Sequence, residues 1–167
     1  MRAFLAQQAH QVDQPLLQFL IFLGSCVLQL FIIRATLKIV RGEPFEASTI
    51  MTTENLGPYV IGAIIVGILT FVGFILCIIP GILVAFFTLF WGYFIIDKNM
   101  SPTEAISASF NLVKDNAGAV IIFLILSWVV LLVGAILCGI GLFVAWPVVI
   151  IATGYMYKRL QGEPVAA

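Results

Sequence analysis

Three stretches of this chain carry no charged side chain: residues 14–33, 55–96 and 116–157. A helix rising 1.5 Å per residue needs roughly 20 apolar residues to cross a hydrocarbon core about 30 Å thick. The first stretch matches that length, and the other two are each about twice as long. A straight helix of double length would overshoot the bilayer, so each long stretch must turn back on itself. Composition agrees. Hydrophobic residues make up 62% of the chain, charged residues only 10%, and the mean hydropathy is +1.17, whereas soluble domains carry about 25% charged residues. The expected fold class is an all-α integral membrane protein with about five transmembrane helices. The net charge is +0, and no Lys/Arg cluster is present, so nucleic acid is not an expected partner.

Within the second stretch, "CIIPG" (77–81) supplies a break. Pro80 removes a backbone donor and clashes with the preceding turn, and Gly81 tolerates angles that other residues avoid. In the third stretch "CGIG" (138–141) offers Gly139 and Gly141 instead. A single membrane domain over 1–167 follows, with span 1 at 15–33, a hairpin at 55–97, a second hairpin at 116–157 and a tail at 158–167. The hairpin tips carry no charge, and nearly all the Lys and Arg residues lie at the opposite ends. The positive-inside rule places those ends in the cytoplasm of a bacterium, with the N-terminus outside and the C-terminus inside. The opening "MRAFLAQQAHQVDQP" has Asp13 and Pro15 where a signal peptide would run apolar, so no signal peptide is expected.

The chain matches itself at a fixed offset. "ENLG" (54–57) aligns with "DNAG" (115–118), Gly73 with Gly134, and "ILC" (75–77) with "ILC" (136–138). Past the tips, "GY" (92–93) aligns with "GY" (154–155) and Pro102 with Pro164. Both copies run in the same direction, which makes them parallel repeats. Span 1 ends in "KIVRGEP", resembling "YKRLQGEP" after the last span, so it reads as the second half of a hairpin whose other half comes from a longer native chain, from residues 1–14 or from another subunit. Between the hairpins, 101–113 reads as a short helix lying in the membrane interface. Ser101 caps it, Pro102 suits its first position, and Glu104 completes a capping box. Ile106, Phe110 and Val113 share its apolar face.

Few residues suggest chemistry. Arg34, Lys38 and Arg41 share a helical face beyond span 1 and are candidates for phospholipid-headgroup contact; ordinary positive-inside flanking is the plainer alternative. Gln18 and Gln29 lie three turns apart on span 1 and are candidates for helix–helix hydrogen bonding. Cys77 and Cys138 occupy equivalent tip positions, where they either pair or simply permit close packing. No Cys-x-x-Cys pair, His-containing metal motif, nucleophile elbow or phosphate loop occurs, so neither cofactor, metal site nor catalytic residue is expected. No Asp, Glu, Lys, Arg or His falls mid-span, which argues against a coupled transporter or pump.

The stretch "LCIIPGILVAFFTLFWGYFIIDKNMSPTEAISASFNLVKDN" (76–116) resembles small bacterial polytopic membrane proteins, including actinobacterial stand-alone forms. It is similar to the membrane domain attached to some glycerophosphodiester phosphodiesterases. The resemblance covers roughly residues 55–160 and implies the hairpin architecture. The phosphodiesterase domain has no counterpart here, so no activity carries over. The expected function is a non-enzymatic accessory or scaffold subunit of a membrane assembly, with membrane lipids and another subunit or a second copy as partners. The alternatives are a lipid-binding or lipid-moving protein and, with less support, an oligomeric channel.

Overall fold

The computed structural model describes residues 2–44, 52–136 and 140–165, with side chains for 14–44, 52–136 and 141–165. Among the described residues seven helices follow in order: α1 (Arg2–Arg41), α2 (Leu56–Leu76), α3 (Ile78–Phe87), α4 (Trp91–Lys98), α5 (Pro102–Asp115), α6 (Ala117–Ile136) and α7 (Ile140–Leu160). Five segments among the described residues are long and apolar enough to cross a membrane: Gln14–Arg41, Leu56–Leu76, Ile78–Lys98, Ala117–Ile136 and Gly141–Leu160. The protein is an all-helical, multi-pass membrane protein.

α2 packs on α3 and α6 on α7, forming two hairpins, while α1 packs against α2, α4 and α7. The first turn is made by Cys77 alone. Its backbone is extended (φ −174°, ψ 157°), and its N–H still bonds the Gly73 carbonyl at 3.0 Å. The break therefore lies three residues ahead of Pro80, which sits in the first turn of α3. A helix leaves its first N–H groups unpaired, so a missing donor costs nothing there. Gly81 is helical too, and its role is close approach. A Cβ on Gly73 would lie 2.9 Å from the Gly81 Cα, and one on Gly81 would lie 2.6 Å from the Phe74 ring. The second hairpin crosses the same way: a Cβ on Gly141 would lie 2.6 Å from the Gly134 carbonyl oxygen. Gly139 and Cys138 lie outside the described residues.

These crossings make a prediction. Gly73→Ala should destabilise the protein by about 1–3 kcal/mol, because rigid backbone stands where the methyl must go. Gly67→Ala, whose Cβ meets nothing within 4 Å, should gain a few tenths instead, through lost backbone entropy in the unfolded chain. SDS-driven unfolding in mixed micelles measures both, and equal stability of the two variants would exclude the glycine crossing as a packing constraint.

The third span is two helices. Residues 88–90 leave the α-helical pattern, with Leu89 N–H bonding Phe86 O at 3.4 Å and Trp91 N–H bonding Thr88 O at 3.3 Å. Those tighter bonds orphan the Phe90 N–H and the Phe87 carbonyl. Ser109 of α5, fully buried, meets both: its Oγ accepts from Phe90 N at 3.0 Å and donates to Phe87 O at 2.9 Å. Thr88 adds a back-bond from its hydroxyl to Val84 O at 2.7 Å, an interaction that competes with the helix ladder.

α5 begins at Ser101, whose N–H and hydroxyl both donate to the Glu104 carboxylate, at 3.1 and 2.7 Å. The stripe it buries is Ala105, Ser109 and Val113. Of the expected Ile106–Phe110–Val113 face, only Val113 is buried; Phe110 stays 43% exposed and lies 4.6 Å from the Phe87 ring, centroid to centroid. Small residues face the bundle because α5 must approach the break closely enough for a serine to reach it. The core gathers around Leu30, Leu37, Tyr59, Phe90, Tyr93 and Tyr157, toward the charged ends of the helices. Toward the hairpin tips the side chains are exposed, with Leu76 at 74% and Ile136 at 79%.

Candidate functional site

Three spans finish together at the charged end. α1, α4 and α7 each stop at a residue with left-handed backbone: Gly42 (φ 69°), Asn99 (φ 53°) and Gly162 (φ 71°). The α1 and α7 endings share one bonding pattern. Gly42 N–H bonds Ile39 O at 3.1 Å and Glu43 N–H bonds Lys38 O at 3.0 Å; Gly162 N–H bonds Arg159 O at 3.0 Å and Glu163 N–H bonds Lys158 O at 3.2 Å. These paired bonds make a Schellman turn, which glycine allows because it carries no Cβ. The turn throws the following glutamate back beside its own helix end.

The partial negative charges of three helix C-termini therefore meet in one region, which favours cations. Arg41, Lys98, Lys158 and Arg159 occupy the last turns. The Asp97 side chain, closed off from solvent, is the hub of the network that Arg41, Lys98 and Lys158 form. Its Oδ1 accepts from Arg41, and its Oδ2 accepts from Lys158 Nζ at 2.7 Å and from the Tyr157 hydroxyl at 3.1 Å. The Lys158 side chain is only 3% exposed and also donates to Glu163, which in turn pairs with Lys98. Arg41 lies 3.7 Å from Glu43. Hydrogen bonds from Lys158 and Lys98 hold the Glu163 carboxyl below the usual carboxylate range. Its share of stability is thus present above the ordinary glutamate value of about 4.3 and is lost as pH falls through the depressed native value.

The candidate headgroup residues border this network. Arg34, Lys38, Arg41, Glu43, Glu54 and Asp97 line a depression of 410 Å³ beside the α1 C-terminus. Arg34 donates to the carbonyls of Thr52 and Glu54 and to the Thr52 hydroxyl, which ties α1 to the segment entering α2. Arg41 is held by Asp97. Arg34 and Arg41 are therefore engaged within the chain. A second depression, also 410 Å³ and almost wholly apolar, lies beside the span-3 break between Leu69, Pro80, Leu83, Phe87, Ile106 and Phe110.

The two glutamines part company. Gln29 accepts a hydrogen bond from the Tyr59 hydroxyl at 3.0 Å, joining α1 to α2. Gln18 lies in a segment, 14–21, that is exposed on every side. Cys26 is buried in the core, and Cys77 is exposed at the first tip. No cluster of three His, Cys, Asp or Glu residues able to hold a metal occurs among the described residues. The residues that spacing alone did not single out are Asp97, Lys158, Glu163 and Ser109. A signal for the first three was available: Asp97 and Lys158 are the first charges after the two long apolar stretches, and Lys-x-x-x-Gly-Glu-Pro occurs at 38–44 and again at 158–164.

The chain is similar to uncharacterized proteins from two strains of Mycobacterium tuberculosis and from Mycobacterium bovis. It is 31% identical to each over 134 residues, which is 80% of this chain and 41% of each relative. It thus spans about two fifths of the length of the curated relatives it matches. No family model and no solved structure matches it.

Proposed function

We propose that the protein is a non-enzymatic accessory or scaffold subunit of a membrane protein assembly. The observation that carries this reading is the state of α1. From Cys26 onward the helix is built into the bundle through Cys26, Leu30, Leu37 and Val40, yet every residue from 14 to 21 is exposed. That segment contains Gln18, whose amide gains a partner only from outside the described chain. An orphaned amide in hydrocarbon costs several kcal/mol by transfer estimates, so a protein neighbour is favoured there over lipid. The matching parts of the mycobacterial relatives are embedded in longer proteins, which supports a module that works beside other parts. So does the likeness of its hairpin motif to the membrane domain attached to glycerophosphodiester phosphodiesterases. In this reading the two hairpins are parallel repeats, supported by their paired glycine crossings. The charged end faces the cytoplasm of a bacterial plasma membrane, in keeping with the positive-inside rule.

A second reading, lipid binding, draws support from the apolar depression beside the span-3 break.

Cysteine placed at position 18 tests the first reading. In native membranes it should crosslink to a second polypeptide, and the solubilised particle should exceed the mass of one 18.3 kDa chain with its detergent. Reaction of position 18 with lipid-phase probes alone, in a particle holding one chain, would falsify the subunit reading. Bound phospholipid retained by that single-chain particle would favour the second.

A further inference from the structure

We propose that the α1 face formed by Leu17, Ile21, Gly24 and Leu28 receives a spanning helix from another polypeptide, antiparallel to α1 and of the same kind as α2 and α6. This rests on the subunit reading and names the chemistry of the partner.

The chain itself supplies the precedent. Each of the other spans that ends in the charge network is covered near its tip by an apolar helix running the opposite way: α2 covers α3, and α6 covers α7. In both, a glycine of the covering helix faces a glycine of the returning one, Gly73 against Gly81 and Gly134 against Gly141. α1 shares the ending of α7 bond for bond and joins the same network. It also carries a glycine at the matching level. Gly24 stands as far ahead of Gly42 in the chain as Gly81 stands ahead of Asn99, and Gly141 lies about one turn further ahead of Gly162.

What differs is occupancy. A Cβ on Gly81 or Gly141 would strike neighbouring atoms at 2.6 Å, whereas a Cβ on Gly24 meets nothing within 4 Å. Around Gly24, Leu17 is 57% exposed, Ile21 62% and Leu28 60%. Their spacing of four, three and four residues draws one continuous stripe, on the side of α1 away from Cys26 and Leu30. Such a stripe with a small residue at its centre is how spanning helices meet when no hydrophobic gain separates lipid from protein. A second copy does not fit the precedent. Its α1 would insert parallel to this one, and its α2 already uses Gly73 against its own α3.

The test uses the full chain in phosphatidylcholine vesicles, fluorescently labelled at its C-terminus, and a labelled synthetic peptide of the α2 sequence, Leu56–Leu76. Saturable energy transfer is expected, with Gly24→Leu weakening apparent affinity by about tenfold or more. Because Gly24 faces open space, the variant should keep its helical circular dichroism and its stability. The proposal is overturned by an absence of saturable transfer, or by transfer that Gly24→Leu leaves unchanged. It is equally overturned if the chain without peptide self-associates in a Gly24-dependent way. A crosslink from position 18 to a second polypeptide, found alongside a failed titration, would keep the subunit reading and remove this type of partner.

Discussion

Asp97→Ala is expected to destabilise the protein by about 3–5 kcal/mol, the cost of breaking a buried ion pair from one side. The Asp97 carboxylate is fully buried and serves three donors, Arg41 from α1 and Tyr157 and Lys158 from α7. Its removal leaves the Lys158 ammonium, 3% exposed, with Glu163 as its remaining carboxylate, and leaves Arg41 with Glu43 at 3.7 Å. Those residual pairs place the loss toward the lower end of the range. The desolvation cost of both ions disappears if both are replaced by apolar residues of similar size, so Asp97→Leu combined with Lys158→Met should recover much of the loss. Unfolding free energies in mixed micelles decide the matter. A double variant as unstable as Asp97→Ala would mean that shape, and not the unpaired charge, dominates at this joint.

Ser109→Ala should cost about 1–3 kcal/mol for each of the two backbone groups it orphans. A serine hydroxyl can donate once and accept from another group at the same time, and here both functions are used on one interruption of span 3. Without it, the Phe90 N–H, at a fully buried residue, and the Phe87 carbonyl both lose their partner. Ser107 is exposed on the same helix, and Ser107→Ala should stay within about 0.5 kcal/mol of the parent. The comparison separates the hydroxyl at the break from any general preference of α5 for alanine. Equal stability of the two variants would show that the break is satisfied some other way.

Much of the architecture follows from the order of charged and uncharged residues. A charge-free stretch has one low-energy place to be, the hydrocarbon core, and the thickness of that core converts length into a count of crossings. Hence all-helical structure and five spans can be read from the chain without coordinates, as can the capping box of Ser101 and Glu104, because such bonds are local. The position of the first turn is less legible. Pro80 and Gly81 look like the turn because both are rare inside helices, but proline is equally at home in a first turn and glycine equally useful at a crossing. Only the packing of α2 on α3 tells the two uses apart, and it moves the bend to Cys77.

The span-3 break has no punctuation in "FFTLFWG" (86–92) that would announce it. It exists because Ser109, some twenty residues further on, is carried to it by a separate helix; a long-range hydrogen bond leaves no periodic trace. The charge network is similar. Asp97, Lys158 and Arg41 each read as a flanking charge at the end of its own span, and their sequence positions are what membrane insertion requires of any such residue. That they meet, and that the carboxylate at the centre is closed off from solvent, depends on three helix C-termini converging. The order of apolar and charged residues determined how many times this chain crosses and where its charges lie, since those are properties of each segment alone. Which helix ends meet, where a span is interrupted and which face of α1 stays open were decided by the tertiary structure, because each depends on contacts between segments far apart in the chain.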